Sequence, residues 1–151
     1  MRLLLSGAVA GAAGTAVEAL LSAVQMKERG DPAVYDPGQL AGRLARRHLG
    51  VRLGRHRQRQ LGRLMRWTYG PTWGVALALA RRGRWGRAWP LWGLGLGAAV
   101  FGFEVVALPG TGATPPLSSW GPEEVRLDAV NTLAFGLAVA LVLRLARRQV
   151  S

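Results

Sequence analysis

The sequence contains no cysteine, a single lysine, two histidines and only eight acidic residues. The absence of cysteine excludes disulfide bonds, thiolate metal sites and cysteine nucleophiles. The histidines, His48 and His56, have no carboxylate or cysteine nearby at a metal-ligand spacing, so we expect them to be surface residues. No serine stands in a recognisable arrangement with a histidine and an acid. The sequence therefore predicts no catalytic, cofactor or metal site, and we expect a protein that is not an enzyme.

Apolar residues make up half of the 151 positions and are gathered into four blocks. These blocks cover residues 3–24, 64–80, 88–108 and 127–145. The first, third and fourth are long enough to cross about 30 Å of hydrocarbon as α-helices. The second is short, but tryptophans and a tyrosine extend it as an interfacial belt would. We therefore expect an all-α, polytopic membrane bundle of four transmembrane helices that forms a single domain over residues 1–151.

The formal net charge is +12, and almost all of the positive charge is arginine. The arginines lie at the ends of the apolar blocks and in one connector, where membrane proteins place them, so we expect no nucleic-acid partner. Twelve basic residues fall on the side of the two long connectors and eight on the side of the termini. Either the positive-inside bias is broken once, or the second block does not cross the membrane.

The first connector contains a second helical pattern. Asp36 and Pro37 are typical of a helix start, with aspartate as the cap and proline in the first turn. From Gly38 to His48, small and apolar residues form one stripe and three arginines lie off it. This pattern predicts a short amphipathic helix, which either lies on the headgroups or is a solvated basic helix between spans. Residues 52–63 continue the connector with five arginines, and we expect them to form a basic surface that is a candidate for holding anionic lipid. The second long connector, 110–124, is rich in proline and is expected to be exposed.

A glycine-stepped segment that ends in a glutamate occurs twice, at 7–18 and at 93–104. Aligning Gly70 with Gly136 extends the similarity to the following helix of each copy. The sequence therefore predicts two tandem hairpin repeats, covering about 3–82 and 88–148. Small residues at helical spacing allow close helix approach. We expect the packing positions to be Gly7, Gly11, Gly14, Gly70, Gly93, Gly97 and Gly136.

The tandem arrangement predicts a polar site within one leaflet. Ionisable residues inside membrane helices are costly and are by default candidates for function. The candidates are Glu18, Arg66, Glu104, Asp128 and Asn131. A structural interpretation pairs one glutamate with Arg66 and the other with Asn131 or backbone amides. Two functional interpretations make the glutamates a proton or cation site, or a contact for lipid headgroups.

Several aromatic and glycine positions resemble the YagU-like family of uncharacterised bacterial inner-membrane proteins. The matching residues, spread over nearly the whole chain, are Gly7, Gly11, Gly14, Trp67, Tyr69, Gly70, Trp73, Gly74, Glu104, Leu108, Pro109, Gly112, Phe135 and Gly136. The resemblance implies a helical protein of the bacterial inner membrane and carries no established activity. Arg66 and Thr132 stand where that family has histidines, so proton handling by those histidines is not implied here.

Taken together, these features predict a small membrane protein with a non-enzymatic role as a scaffold or partner-binding subunit. Its expected partners are the lipid bilayer and either a second copy of the chain or another membrane protein, packed through the glycine faces. The alternative is a small channel or transporter that uses Glu18 and Glu104 for proton or cation passage.

Overall fold

The structure, a computed structural model, describes residues 1–29, 37–81, 88–112 and 114–148. These residues form five α-helices and one short 3₁₀ turn, without a strand. The helices are α1 (Arg2–Arg29), α2 (Pro37–Leu49), α3 (Arg55–Arg81), α4 (Trp89–Gly110) and α5 (Pro122–Arg148), and the turn is Leu117–Ser119. The predicted all-α class is confirmed.

Three of the described helices are long and apolar enough to cross a membrane. The qualifying stretches are Arg2–Glu28, Trp89–Gly110 and Pro122–Ala146. They correspond to the first, third and fourth predicted spans. By length and composition, the chain is therefore compatible with an integral membrane protein.

The remaining long helix, α3, does not reach the hydropathy of the other three. Its apolar part matches the predicted second span, but the helix begins earlier, at Arg55, in what the sequence analysis treated as a basic surface connector. Arginine and glutamine are good helix formers, so the basic segment extends the helix instead of interrupting it. Pro71 lies inside α3 without ending it.

The four long helices are arranged as two tightly packed pairs that are joined along one side. α1 packs along α3, α4 packs along α5, and α1 and α5 connect the pairs. α3 and α4 approach closely at only a few backbone positions. The amphipathic helix α2 lies outside this group and packs against α3.

Glycines bring the backbones of α1 and α3 into direct contact. A Cβ atom added to Gly7 would lie 2.7 Å from the Cα of Val75, and one added to Gly11 would lie 2.6 Å from the Cα of Pro71. A Cβ on Gly74 would lie 2.6 Å from the backbone nitrogen of Gly11, and one on Gly70 would overlap the Thr15 hydroxyl. Larger residues at these positions would separate the helices.

The contact between α4 and α5 is built in the same way. A Cβ on Gly93 would lie 2.9 Å from the Cα of Leu137, and one on Gly97 would lie 2.6 Å from the Cα of Leu133. A Cβ on Gly136 would lie 2.6 Å from the backbone nitrogen of Gly97. Gly93 and Gly97 therefore meet α5 as Gly7 and Gly11 meet α3.

The core lies where α5 meets its neighbours. Phe135 and Val139 are the largest fully buried side chains, and a Cβ on Gly14 of α1 would lie 2.8 and 2.6 Å from their atoms. Gly14 thus belongs to the contact between α1 and α5. The other members of this core are Ala10, Leu77, Ala78, Leu96, Val100, Ala140 and Leu143.

The predicted amphipathic helix forms, and protein covers its apolar stripe. α2 begins at Pro37, whereas the proposed cap Asp36 lies outside the described residues. Leu40 and Ala41 are buried on the side of α2 that packs against α3. After the helix, Gly50 adopts a left-handed conformation with φ of +66°. The apolar stripe is therefore not available to lie on headgroups.

The second connector is more ordered than the sequence suggests. Thr114 and Trp120 are buried, and the Trp120 indole donates a hydrogen bond of 3.2 Å to the Pro115 carbonyl. The backbone amide of Gly121 donates to a Glu124 carboxylate oxygen at 2.8 Å, which caps the start of α5. The prediction of a wholly exposed connector is wrong for these residues.

Candidate intramembrane polar site

The residues that the sequence assigns to a polar site lie toward one end of the bundle. Gly7 contacts Gly74 and Gly11 contacts Gly70, so α1 and α3 run antiparallel. Gly93 contacts Leu137 and Gly97 contacts Leu133, so α4 and α5 also run antiparallel. The second halves of α1 and α4 therefore share an end with the first halves of α3 and α5. This end contains Glu18, Arg66, Glu104, Asp128 and Asn131.

Glu18 lies between a cation and a second acid. Its carboxylate is within electrostatic reach of the Arg66 guanidinium on α3 and of the Asp128 carboxylate on α5. Glu18 and Asp128 are partly buried, while Arg66 is exposed. The attraction to Arg66 opposes the repulsion from Asp128, so three helices contribute charge to one small region.

Asp128 contains an unsatisfied oxygen. Its Oδ2 atom is buried and accepts no hydrogen bond from the residues that the structure describes. A buried carboxylate oxygen without a donor is costly, and such groups call for an explanation in structure or function. Because Glu18 is the nearby acid on α1, a proton or a cation shared between the two carboxylates would relieve that cost.

Glu104 is the most buried of the predicted charged residues, with 5% of its surface exposed. The Tyr69 hydroxyl on α3 lies close to the Glu104 carboxylate and to the Trp73 side chain. No hydrogen bond of regular geometry forms at that hydroxyl within the described residues. Tyr69 is thus a polar side chain of α3 that lies close to Glu104.

Three aromatic rings fill the space between α3 and α4 beside Glu104. The ring centroids of Trp73 and Phe103 are 5.9 Å apart, with the planes at 73°. Tyr69 lies 6.1 Å from Trp73 and 6.2 Å from Phe103. These distances are typical of favourable aromatic contacts. The rings explain why these two helices have few close backbone contacts, unlike the pairs packed through glycine.

Tyr69 also connects the two acidic positions. Both Glu18 and Glu104 are within electrostatic reach of its hydroxyl. Glu18 approaches from α1, and Glu104 approaches from α4. Both glutamates were predicted from the sequence, whereas Tyr69 was expected only to be an interfacial residue. Tyr69 and Trp73 are four residues apart and share a helix face, and that spacing is a usable signal.

Asn131 does not pair with a glutamate. It exchanges two hydrogen bonds with Gln25 of α1, of 2.9 Å from Gln25 Nε2 and 3.0 Å from Asn131 Nδ2. The sequence analysis missed Gln25. Its position seven residues after Glu18 places both side chains on the same face of α1, and that spacing could have identified it.

Arginines and tryptophans hold the opposite end of the bundle. The Arg81 guanidinium of α3 lies 3.8 Å from the centroid of a Trp92 ring, and that of Arg144 of α5 lies 5.5 Å from Trp89. Both tryptophans belong to the start of α4, so these cation–π contacts connect α4 to both of its neighbours.

The two histidines lie in exposed positions, and no group of three histidine, cysteine or acidic side chains in the described ranges could hold a metal ion.

Comparison with known proteins found no matching family model, no matching curated protein and no matching solved structure. The resemblance to the YagU-like family therefore stays a prediction.

Proposed function

We propose that the chain is an integral membrane protein with four spanning helices, α3 being the fourth. α3 packs along α1 at Gly7 and Gly11, which lie in the first half of an apolar helix, so it would share the same hydrocarbon layer. From Arg66 to Arg81 it would rise about 24 Å at 1.5 Å per residue. That is slightly short of the roughly 30 Å hydrocarbon core, but arginine side chains can extend toward the headgroups from both ends.

The outer surface of the bundle supports this proposal. Large apolar side chains are exposed on the helices that qualify as spans, including Leu5, Val9, Leu20, Leu91, Val106, Leu141 and Leu145. A water-soluble protein of this size rarely exposes so many large apolar side chains on its helices. In a bilayer these side chains would contact lipid.

We further propose that the two helix pairs are tandem repeats, with a register set by the glycine contacts. Those contacts match Gly7, Gly11 and Gly74 to Gly93, Gly97 and Gly136. The alignment of Gly70 with Gly136 is one helical turn away from this register. When the repeats are aligned by these contacts, Glu18 corresponds to Glu104 and Arg66 corresponds to Asp128. The second of these positions therefore carries a positive charge in one repeat and a negative charge in the other.

The proposed role is a non-enzymatic scaffold or partner-binding subunit in the inner membrane of a bacterial cell. The observation that carries it is the reciprocal amide pair between Gln25 and Asn131, because it commits intramembrane polar groups to holding α1 against α5. The ring contacts around the buried Glu104 act in the same way between α3 and α4. Polar groups within membrane bundles commonly hold helices together.

A second copy or a partner would bind to faces other than the predicted glycine faces. Gly7, Gly11, Gly93 and Gly97 are each in contact with another helix of the same chain. The outward apolar faces of α1, α4 and α5 are the surfaces left for a membrane partner or a second copy.

The test of the scaffold proposal is the double variant Glu18→Gln/Glu104→Gln. If the glutamates serve packing, the double variant loses folded, monodisperse protein or unfolds at lower denaturant than the parent. The matched control is Glu28→Gln/Glu123→Gln, which removes the same charge from two exposed positions outside the polar site and leaves the Glu124 cap in place. Equal stability of parent and double variant would contradict a packing role.

A channel or transporter for protons or cations is the second candidate. The buried, unpartnered Oδ2 of Asp128 close to Glu18 favours it, because proton-carrying sites are commonly made from neighbouring carboxylates. Proteoliposomes that contain the parent, compared with the double variant matched for folded amount, test this candidate. Flux that vanishes in the variant would favour transport, whereas leakage no greater than that of empty liposomes would exclude conduction of those ions by the isolated protein.

A further inference from the structure

The arginines of α2 follow a segment that contains three acids, Glu28, Asp31 and Asp36. Residues 37–103 contain no aspartate or glutamate. Arg43, Arg46 and Arg47 are exposed on α2, with Arg47 at the edge of the face that is buried against α3. α3 covers the apolar stripe, so these arginines lie on the part of α2 that is exposed.

Arg47 reaches from α2 to the turn that follows α4. Gly112, in that turn, has φ of +71°, and a Cβ added to it would overlap the Arg47 guanidinium, lying 2.7 Å from its Cζ atom. The close approach is possible because the residue is glycine, which also suits the left-handed backbone. The Arg47 guanidinium of α2 therefore lies against the turn that follows α4.

A cavity of about 520 Å³ opens at this junction. The described residues that line it are Arg43, Arg46, Arg47 and Gly112. The volume is within the usual range for small-ligand pockets. Guanidinium groups bind phosphate oxygens with paired, charge-assisted hydrogen bonds, and several of them in one concave site strongly favour an anion.

We propose that this pocket, named here the α2 pocket, binds the phosphate group of an anionic ligand. Because α2 and the turn at Gly112 follow the ends of α1 and α4, the pocket would lie at the level of the headgroups, so a lipid phosphate is the source within reach. The lipid assignment rests on the proposed membrane placement. A soluble phosphate compound is the other source of the same chemistry.

The experiment measures binding of phosphatidylglycerol and phosphatidylcholine to the detergent-purified full chain by native mass spectrometry. The pocket variant is Arg43→Gln/Arg46→Gln/Arg47→Gln. The control variant is Arg55→Gln/Arg57→Gln/Arg59→Gln, which removes the same charge from exposed positions at the start of α3. A third variant, Gly112→Ala, keeps every arginine but places a methyl group where the Arg47 guanidinium lies. Circular dichroism confirms that each variant is folded.

We expect the parent to retain one phosphatidylglycerol in preference to phosphatidylcholine. The pocket variant should bind it about 100-fold more weakly and the control variant less than about tenfold, given the contribution of each arginine near anionic lipid. Gly112→Ala should weaken binding despite its unchanged charge. The proposal is overturned if the pocket and control variants lose equal affinity, or if the parent does not distinguish the two lipids and also fails to bind phosphate.

Inorganic phosphate and glycerol 3-phosphate, added without lipid, identify the source. Their binding to the parent, weakened in the pocket variant, would assign the α2 pocket to a soluble phosphate compound if phosphatidylglycerol does not bind. Extraction from membranes by detergent but not by alkaline carbonate tests the membrane placement separately. A failure of that placement would leave the phosphate measurement in solution as a valid test of the pocket.

Discussion

Gln25 and Asn131 exchange two side-chain hydrogen bonds across 106 positions of sequence, and so join the end of α1 to the first half of α5. This pair lies at the junction between the two tightly packed helix pairs. Both of its side chains are uncharged amides, whereas the group around Glu18 consists of charged side chains. The two features together make the contact between α1 and α5 polar at one end and apolar, around Phe135, in the middle.

The amide pair predicts a measurable coupling in a double-mutant cycle. Gln25→Ala, Asn131→Ala and the double variant should give a coupling of about 0.6 kcal/mol, with an upper bound near 1.7 kcal/mol, as interhelical hydrogen bonds in membranes do. Unfolding in mixed micelles measures it. Gln60→Ala, at an exposed position of α3, is the control and should cost little. A coupling of zero would mean that the pair does not hold the helices together.

The glycine contacts predict a strong dependence on position. Gly11→Ala and Gly74→Ala place a methyl group against backbone atoms of the facing helix, so each should destabilise by about 1–3 kcal/mol or more. Gly95→Ala and Gly102→Ala are matched controls on α4, because an added Cβ meets nothing within 4 Å there. These two should be neutral or slightly stabilising, since alanine is the better helix former. Equal losses at all four positions would contradict the helix pairing.

The aromatic contact predicts that Trp73 is more important to stability than Trp67. Trp73→Ala removes a partly buried ring that packs on both Tyr69 and Phe103 and should cost up to about 3 kcal/mol, the low end for a tryptophan in a core. Trp67 is half exposed, and Trp67→Ala should cost clearly less. The midpoint of thermal unfolding, monitored by circular dichroism, compares the two. If Trp67→Ala is the more damaging, the rings between α3 and α4 do not hold those helices.

The helices could be predicted from the sequence because each depends on local patterns. Apolar blocks gave the four long helices, and the spacing of small and basic residues gave α2 from Pro37. The length of α3 was underestimated because arginine-rich sequence was assigned to a surface, although its residues favour helix. Charge indicates where a residue lies relative to water and membrane, but does not by itself end a helix.

The register of the second helix pair could not be fixed from sequence, for a specific reason. Tyr69-Gly70 and Trp73-Gly74 are both an aromatic residue followed by glycine, one helical turn apart, and either can be aligned with Phe135-Gly136. Only the backbone contacts distinguish them, and they match Gly74 to Gly136. A pattern that repeats at the helical period is ambiguous by one turn.

The charged residues of the candidate site and Asn131 were predicted from the sequence, whereas Gln25 and Tyr69 were missed. Glu18, Arg66 and Asp128 were recognisable because charge within an apolar helix is costly. Gln25 lies near a helix end, where polar residues are common, and Tyr69 resembles any interfacial aromatic. Their roles depend on which helices are neighbours, and that information is absent from local sequence.

The crossing of α3 is the central claim, since the repeat, the single polar end and the headgroup position of the α2 pocket all depend on it. The absence of cysteine makes the test direct, because a single introduced cysteine is the only thiol. A cysteine is introduced singly at each of four exposed positions, which are Arg2, His48, Ala88 and Ser118. A membrane-impermeant maleimide is then applied to sealed vesicles of both orientations.

If α3 crosses the membrane, His48→Cys and Ser118→Cys react on one side of it, and Arg2→Cys and Ala88→Cys react on the other. Labelling after solubilisation confirms that each thiol is reactive. If Ala88→Cys instead reacts on the same side as His48→Cys, α3 does not cross, and the four-span bundle is contradicted.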